Sequence, residues 1–235
     1  MERLFYINLP QREDRNAHML AELKNADLDN SKITKICAVD GNSLPKEMVQ
    51  QLAAKADFLE TSFVNQAVGC FMTHVLIWQL IVERKINCAV ILEDDVKLIS
   101  GFADKVDKLI SHLPTNTEII TIGLPQFENV LSLEHQTTDV FDKIFVRIVN
   151  SHVRILHPDL NPGTFAYIIT LTGAENLLAY VDTFGITSAI DTFISSYLES
   201  RNIRYASKET LATTVSSLGS DISGVLPIIT KPDQK

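Results

Sequence analysis

The stretch CAVILEDDVKL, residues 88–98, constrains the fold more tightly than any other part of the chain. Its first five residues are apolar or small and show no alternation between two faces. A strand with one solvated face alternates apolar and polar side chains, so a run like this one is covered on both sides. Helices supply such covers, and the chain is therefore expected to be α/β with a mainly parallel central sheet. The run ends in three consecutive carboxylates, Glu93, Asp94 and Asp95, whose like charges repel. In open α/β sheets, ligands bind beyond the carboxyl ends of the strands. If extended backbone continued through the acids, Glu93 and Asp95 would face one way and Asp94 the other.

The flanking pattern agrees with this class. Residues 3–9 read as a first strand, stopped by Pro10, and 13–26 carry apolar positions near helical spacing. Residues 33–41 read as a second strand closing in an Asp-Gly turn, and Ser43 with Pro45 opens a helix to about Asp57. A long apolar helix is predicted over 66–85, and Ser100 is expected to cap a helix over 101–112. Strands are expected at 118–123, 164–171 and 203–207. Thr172 is placed as the cap of one further helix, and Ser188 with Asp191 is close to a capping box for another over 188–200. Residues 124–162 scatter Pro, Asn, Asp and His and read as loops and short strands.

At 235 residues, 46% hydrophobic and 21% charged, the chain suits one domain with a sizeable core, residues 1–235. A net charge of −8 repels phosphates at long range, so no nucleic-acid partner is expected. Cys37, Cys70 and Cys88 cannot all pair within one chain and form no CxxC, which suits reduced thiols. The first residues lack the apolar run of a signal peptide, and no stretch reaches the roughly 18 apolar residues of a membrane span. The expected localisation is cytoplasmic. Peripheral contact with the cytoplasmic face of the inner membrane stays open, because a small apolar or basic patch suffices for it.

Carboxylates converging at a strand end can hold a hard divalent cation, Mn²⁺ or Mg²⁺, which prefers oxygen ligands and shares them with substrate phosphates. The competing reading is a solvated acidic turn in which Asp94 caps something local.

Four further stretches carry a resemblance. The start FYINLPQREDR, the AVDG block at 38–41, the long block AVGCFMTHVLIWQLIVERKINCAVILEDDV at 67–96, and GTFAYIITLTGAENLL at 163–178 resemble glycosyltransferase family 25. AIDTFI and SDI (220–222) match its later blocks. That family holds bacterial lipooligosaccharide β-galactosyltransferases and collagen hydroxylysine galactosyltransferases. The resemblance implies a GT-A-like nucleotide-binding sandwich, with a DxD-type motif that reads Glu93-Asp94-Asp95 here. It divides the chain into a nucleotide-sugar-binding half, 1–123, and an acceptor-side half, 124–235.

The implied site follows. Asp95 is the first choice of direct metal ligand, Glu93 shares the metal or holds a coordinated water, and Asp94 accepts from the ribose hydroxyls. Arg12 and Arg15 suit diphosphate or ribose oxygens, or else pair with Glu13 and Asp14 on the helix surface. Asn8 could contact the base. Asp40 and Gly41 could shape the nucleotide pocket, or form a plain turn. His74, four residues from Trp78 on one helix face, is a satisfied core histidine or a group near the nucleotide-sugar. Asp191 is the candidate general base, or a helix cap. Ser220 and Asp221 could close over the donor. His152 and His157 are surface residues, or one supplies a third metal ligand. The implied reaction is inverting transfer of a hexose, galactose from UDP-galactose, to a lipooligosaccharide sugar. A metal-dependent phosphohydrolase and a noncatalytic sugar-nucleotide-binding domain are the rival readings.

Overall fold

The computed structural model describes residues 1–123, 145–157 and 161–219. Its first half contains β1 (Arg3–Asn8), α1 (Glu13–Asn25), β2 (Ile33–Cys37), α2 (Lys46–Leu52), α3 (Val64–Glu83), β3 (Cys88–Glu93), β4 (Val96–Leu98), α4 (Phe102–Ile110) and β5 (Ile119–Thr121). The second half contains β6 (Phe145–Ile148), β7 (Val153–Leu156), β8 (Ala166–Thr170), α5 (Leu171–Phe184), α6 (Ile190–Ser200), β9 (Tyr205–Ser207) and β10 (Ala212–Thr214). Ser220 and Asp221 lie outside the described residues.

Eight strands form one sheet in the order β2-β1-β3-β8-β5-β9-β7-β6. Strands β1, β2 and β3 pair in parallel, as do β5 and β9, while β8 runs against both of its neighbours and β7 against both of its own. All the strands except β7 and β8 therefore run in one direction, which is the α/β arrangement with a mainly parallel sheet expected from CAVIL. Ala89, Val90, Ile91 and Leu92 of β3 expose no surface. Each of the three larger side chains stabilises the fold by about 1.5–3 kcal/mol through burial.

Helix α3 packs on α5 and against β2, and its His74 and Trp78 reach Tyr167 of β8. Phe71, His74, Ile77, Trp78 and Ile81 on it are fully buried. Contrary to the sequence expectation, the helix is long and apolar enough to cross a membrane, yet more than half of its most apolar stretch is buried inside the protein. A helix covered by a sheet on one side and by helices on another is apolar nearly all round for that reason.

Three predicted caps are corrected. Helix α4 starts from Gly101, whose φ of 69° suits glycine, and not from a Ser100 side-chain cap. The cap of α5 is Thr170, whose hydroxyl accepts from the Gly173 N–H at 3.1 Å, because β8 runs directly into the helix and leaves no loop for Thr172 to open. Helix α6 begins after Ala189 without a side-chain cap, so the Ser188–Asp191 capping box does not form. Periodicity also gave no sign of β4, which follows the acids directly, or of β10, which returns from residues 212–214 to pair with it antiparallel.

Candidate functional site

The parallel register sets Ile7 of β1 beside Glu93 of β3. Asn8 and the three acids therefore leave the sheet at the same edge. They open into a cavity of about 230 Å³, which Arg15, Asp40, Gly41, Gln66, Cys70 and His74 also line. Extended backbone stops at Glu93 and the chain turns at Asp94 and Asp95. The alternate facing predicted for the acids does not occur, and all three line the one cavity.

The three acids are not equivalent. Asp94 is 5% exposed; one of its oxygens accepts from Asn8 Nδ2 at 2.7 Å and the other from Arg15 Nη1 at 2.9 Å. Both carboxylate oxygens are thus engaged by protein, and Asp94 ties β1, α1 and β3 together. Arg15 also reaches Asp95, at 3.5 Å, and donates to the Gly219 carbonyl, which pins the turn at 216–219 over the site. Glu93 accepts from the Thr164 hydroxyl at 3.1 Å. Burial, followed by the charge of Asp95, pushes the Glu93 carboxyl up to about 8.

The sequence reading treats Arg12 and Arg15 alike, and the structure separates them. Arg15 lines the cavity. Arg12 pairs with Asp14 at 2.9 Å and donates to the Leu218 carbonyl at 2.8 Å, so its contacts are those of the helix-surface alternative plus a tether to the same turn.

His74 is held by a buried chain of donors. Trp78 Nε1 donates to the Tyr167 hydroxyl at 3.2 Å, and that hydroxyl is 2.8 Å from His74 Nδ1. Indole N–H can only donate. The phenol proton therefore goes to Nδ1, its other partner among the described residues. The imidazole proton then sits on Nε2, 4.0 Å from a Glu93 oxygen, with no hydrogen-bond partner among the described residues. Burial lowers the His74 pKa to about 3, so the ring is neutral. Asn8 Oδ1 and Gln66 Oε1, on two other cavity-lining side chains, are likewise buried without a hydrogen-bond partner among the described residues. Unpaired buried polar atoms are costly, and a polar ligand in this cavity would satisfy them.

Asp40 and Gly41 also line the cavity. The Asp40 carboxylate accepts from the Asn42 N–H at 3.0 Å and the Ser43 hydroxyl at 2.8 Å, as the turn reading has it. Gly41 is needed for close approach: a Cβ there would lie 1.7 Å from the Asn65 carbonyl oxygen. Gly69 meets the same turn from α3, where a Cβ would lie 2.5 Å from the Val39 carbonyl oxygen.

Asp191, on the first turn of α6, does not line the cavity. It accepts from Asn161 Nδ2 at 3.0 Å, and its charge is felt at Cys70, whose thiol is raised by burial and then by Glu93 and Asp191. It therefore stands at the margin of the site. His152 stacks on His112 at 4.2 Å, and neither His152 nor His157 lines this cavity. The sequence reading missed Gln66 and Cys70. Both fall on the stripe Gln66, Cys70, His74, Trp78 at four-residue spacing, so the helical period alone could have found them.

Two donor sets could hold a metal. Glu93 and Asp95 offer hard oxygen atoms that fit Mn²⁺ or Mg²⁺. Cys70, His74 and Glu93 bring ligand atoms within 4.8 Å of one another, a softer set. In that set the thiol is held protonated by burial and His74 Nε2 carries its proton, while Glu93, shared by both sets, must give up its own proton before it ligates.

Comparison with known proteins gives the family. The family model described as glycosyltransferase family 25 (LPS biosynthesis protein) matches residues 1–194. Procollagen galactosyltransferase 2 of Mus musculus is 26% identical over 231 residues, covering 89% of this chain and 34% of its own length. Procollagen galactosyltransferase 1 of Danio rerio is 26% identical over 186 residues, 75% of this chain and 28% of its own. The inactive glycosyltransferase 25 family member 3 of Homo sapiens is 25% identical over 187 residues, 76% and 29%. The chain thus spans about a third of the length of these curated relatives. A solved structure, mouse xyloside xylosyltransferase 1 in its apo form, aligns over 86% of this chain and 82% of its own, with a TM-score of 0.47 and 11% identity. With the family model covering most of the sequence, the chain belongs to glycosyltransferase family 25.

Proposed function

We propose that the protein is an inverting hexosyltransferase of GT-A-like design, which moves galactose from UDP-galactose to a sugar of lipooligosaccharide. The observation that carries this reading is the cavity at the ends of β1 and β3. It gathers four acids, a buried arginine and, among the described residues, three buried polar atoms without a hydrogen-bond partner, a lining suited to a polar ligand whose phosphates arrive with a divalent cation. The family's description as LPS biosynthesis supports the acceptor class, and the galactosyltransferase relatives support the hexose.

Each group has a distinct part. Glu93 and Asp95 would hold Mn²⁺ or Mg²⁺, whose charge would neutralise the diphosphate leaving group. Asp94 fixes Arg15, and Arg15 places positive charge beside the same phosphates. Asn8, Gln66 and His74 Nε2–H meet polar atoms of the nucleotide-sugar, with Asp40 and Gly41 shaping the wall. Arg12, together with Arg15, anchors the turn before Ser220 and Asp221, which are assigned to close over the donor. Asp191, at the cavity margin, takes the proton from the attacking acceptor hydroxyl. Attack from the face opposite the leaving group inverts the anomeric centre. The workplace is the cytoplasm, at the periphery of the inner membrane where the glycolipid acceptor lies.

The test is UDP release by the purified protein with UDP-galactose, Mn²⁺ and a truncated lipooligosaccharide. Acceptor-dependent release that falls at least about a hundredfold in Asp191→Asn supports the assignment. UDP binding without release in the presence of any sugar acceptor would point to a binding domain. Phosphate release from simple esters would point to a hydrolase.

A further inference from the structure

The edge of the sheet that carries the acids bears a second cleft of opposite charge. Strand β9 runs in the direction of β3, so Ser207 at its end lies on that same edge. In the strand order β9 stands three places from β3, roughly 14 Å away at about 4.8 Å per strand. The cleft there encloses about 540 Å³ between α4, the start of β7 and the turn after β9. Its charged and polar lining includes Lys105, Lys108, His152, Arg154, Lys208 and Glu209.

The charge is assembled by the fold rather than by a basic run in the sequence. Lys108 lies on α4 and Lys208 follows β9, a hundred positions apart in the numbering. Glu209 is the single acid in the lining and is ion-paired with Lys105. Four cations thus face one carboxylate, in a chain whose net charge is −8. The walls are anchored: the Lys208 N–H donates to the His152 carbonyl at 2.7 Å, and the Ser207 hydroxyl donates to the Glu209 carbonyl at 2.6 Å. Gathering like charges around a concave surface raises the local potential and costs energy that an anion recovers. Guanidinium and ammonium groups together suit the several oxygens of a phosphate.

We infer that this cleft binds a phosphate group, carried either by a lipid headgroup or by a phosphorylated sugar. The inference stands apart from the nucleotide-sugar reading, because it uses none of the residues assigned to the acid site.

The experiment titrates ¹⁵N-labelled full-length protein, free of divalent metal, with inorganic phosphate and with glucose 6-phosphate. Co-sedimentation with phosphatidylcholine vesicles, with and without phosphatidylglycerol, runs in parallel. The predicted result is saturable shifts of the amides at 151–154 and 207–209. In Lys108→Glu/Lys208→Glu the apparent affinity weakens at least about tenfold. Both side chains are exposed, and the milder Lys208→Gln should weaken binding less while keeping the wild-type spectrum elsewhere. Capture by phosphatidylglycerol vesicles that the double variant loses identifies the lipid source. Tighter binding of glucose 6-phosphate than of phosphate, without vesicle capture, identifies the sugar source. No saturable shift at these amides with any probe, or equal binding by the wild type and the double variant, overturns the inference.

Discussion

The Tyr167 hydroxyl lies 2.8 Å from Nδ1 of His74 and 3.2 Å from the indole nitrogen of Trp78, which fixes where the imidazole proton resides. His74 should therefore be the neutral Nε2–H tautomer. Long-range ¹H–¹⁵N correlation of the imidazole nitrogens checks this directly. Tyr167→Phe removes the donor to Nδ1 and should yield a tautomer mixture, with a stability loss of about 1 kcal/mol for the lost hydrogen bond. A single Nδ1–H tautomer in the wild type would contradict the relay.

The same burial gives His74 a pH signature. Its folded pKa, about 3, lies below the ordinary 6.5. Between those values the unfolded chain binds a proton that the folded chain does not. The His74 contribution to stability is thus fully present above pH 6.5 and lost as pH falls toward 3. Denaturant titrations of the wild type and His74→Gln should converge as pH drops through this window.

Glu93 carries the opposite sign. Its carboxyl is raised from 4.5 to about 8, so the metal-free protein should lose stability as pH rises between those values. Metal binding at Glu93 and Asp95 requires the ionised form and so releases a proton near neutral pH. Calorimetry of Mn²⁺ binding in buffers of different ionisation enthalpy should find that release, with affinity rising toward pH 8 and the proton missing in Glu93→Gln.

Removal of Asp94 should cost more stability than removal of Asp95. Asp94 and Arg15 are an ion pair at 2.9 Å with side-chain exposures of 7% and 6%. Deleting one partner of such a pair leaves a buried charge and costs about 3–5 kcal/mol. Urea unfolding of Asp94→Ala and Asp95→Ala compares the two, and equal losses would contradict the division of roles among the acids.

Gly69→Ala tests the contact between α3 and the cavity wall. Its Cβ would meet the Val39 carbonyl oxygen at 2.5 Å and the Gly41 nitrogen at 2.6 Å, both of them backbone. Overpacking of this kind costs about 1–3 kcal/mol. UDP binding should weaken together with the melting temperature, because the displaced turn bears Asp40 and Gly41.

Much of this was legible in the sequence, for physical reasons. The two-sided burial of Ala89–Leu92 left a run without alternation, and that run gave the fold class and the strand end that forms the site. What stayed hidden depends on long-range pairing. Nothing local indicates that Asp94 turns inward to meet Asn8 and Arg15, 86 and 79 positions away. Nor could local periodicity show that Tyr167, in an ordinary buried strand, would meet His74 and Trp78. The caps failed for a smaller reason: β8 runs into α5 with no connecting loop, so the capping threonine is Thr170 rather than Thr172.

The most direct test of the central claim is calorimetric binding of UDP to the purified protein, with and without Mn²⁺, repeated for Asp95→Ala. The account predicts binding that depends on the metal and is lost in Asp95→Ala while the variant remains folded. Absence of UDP binding under every condition would contradict the nucleotide-sugar reading of the acidic strand end.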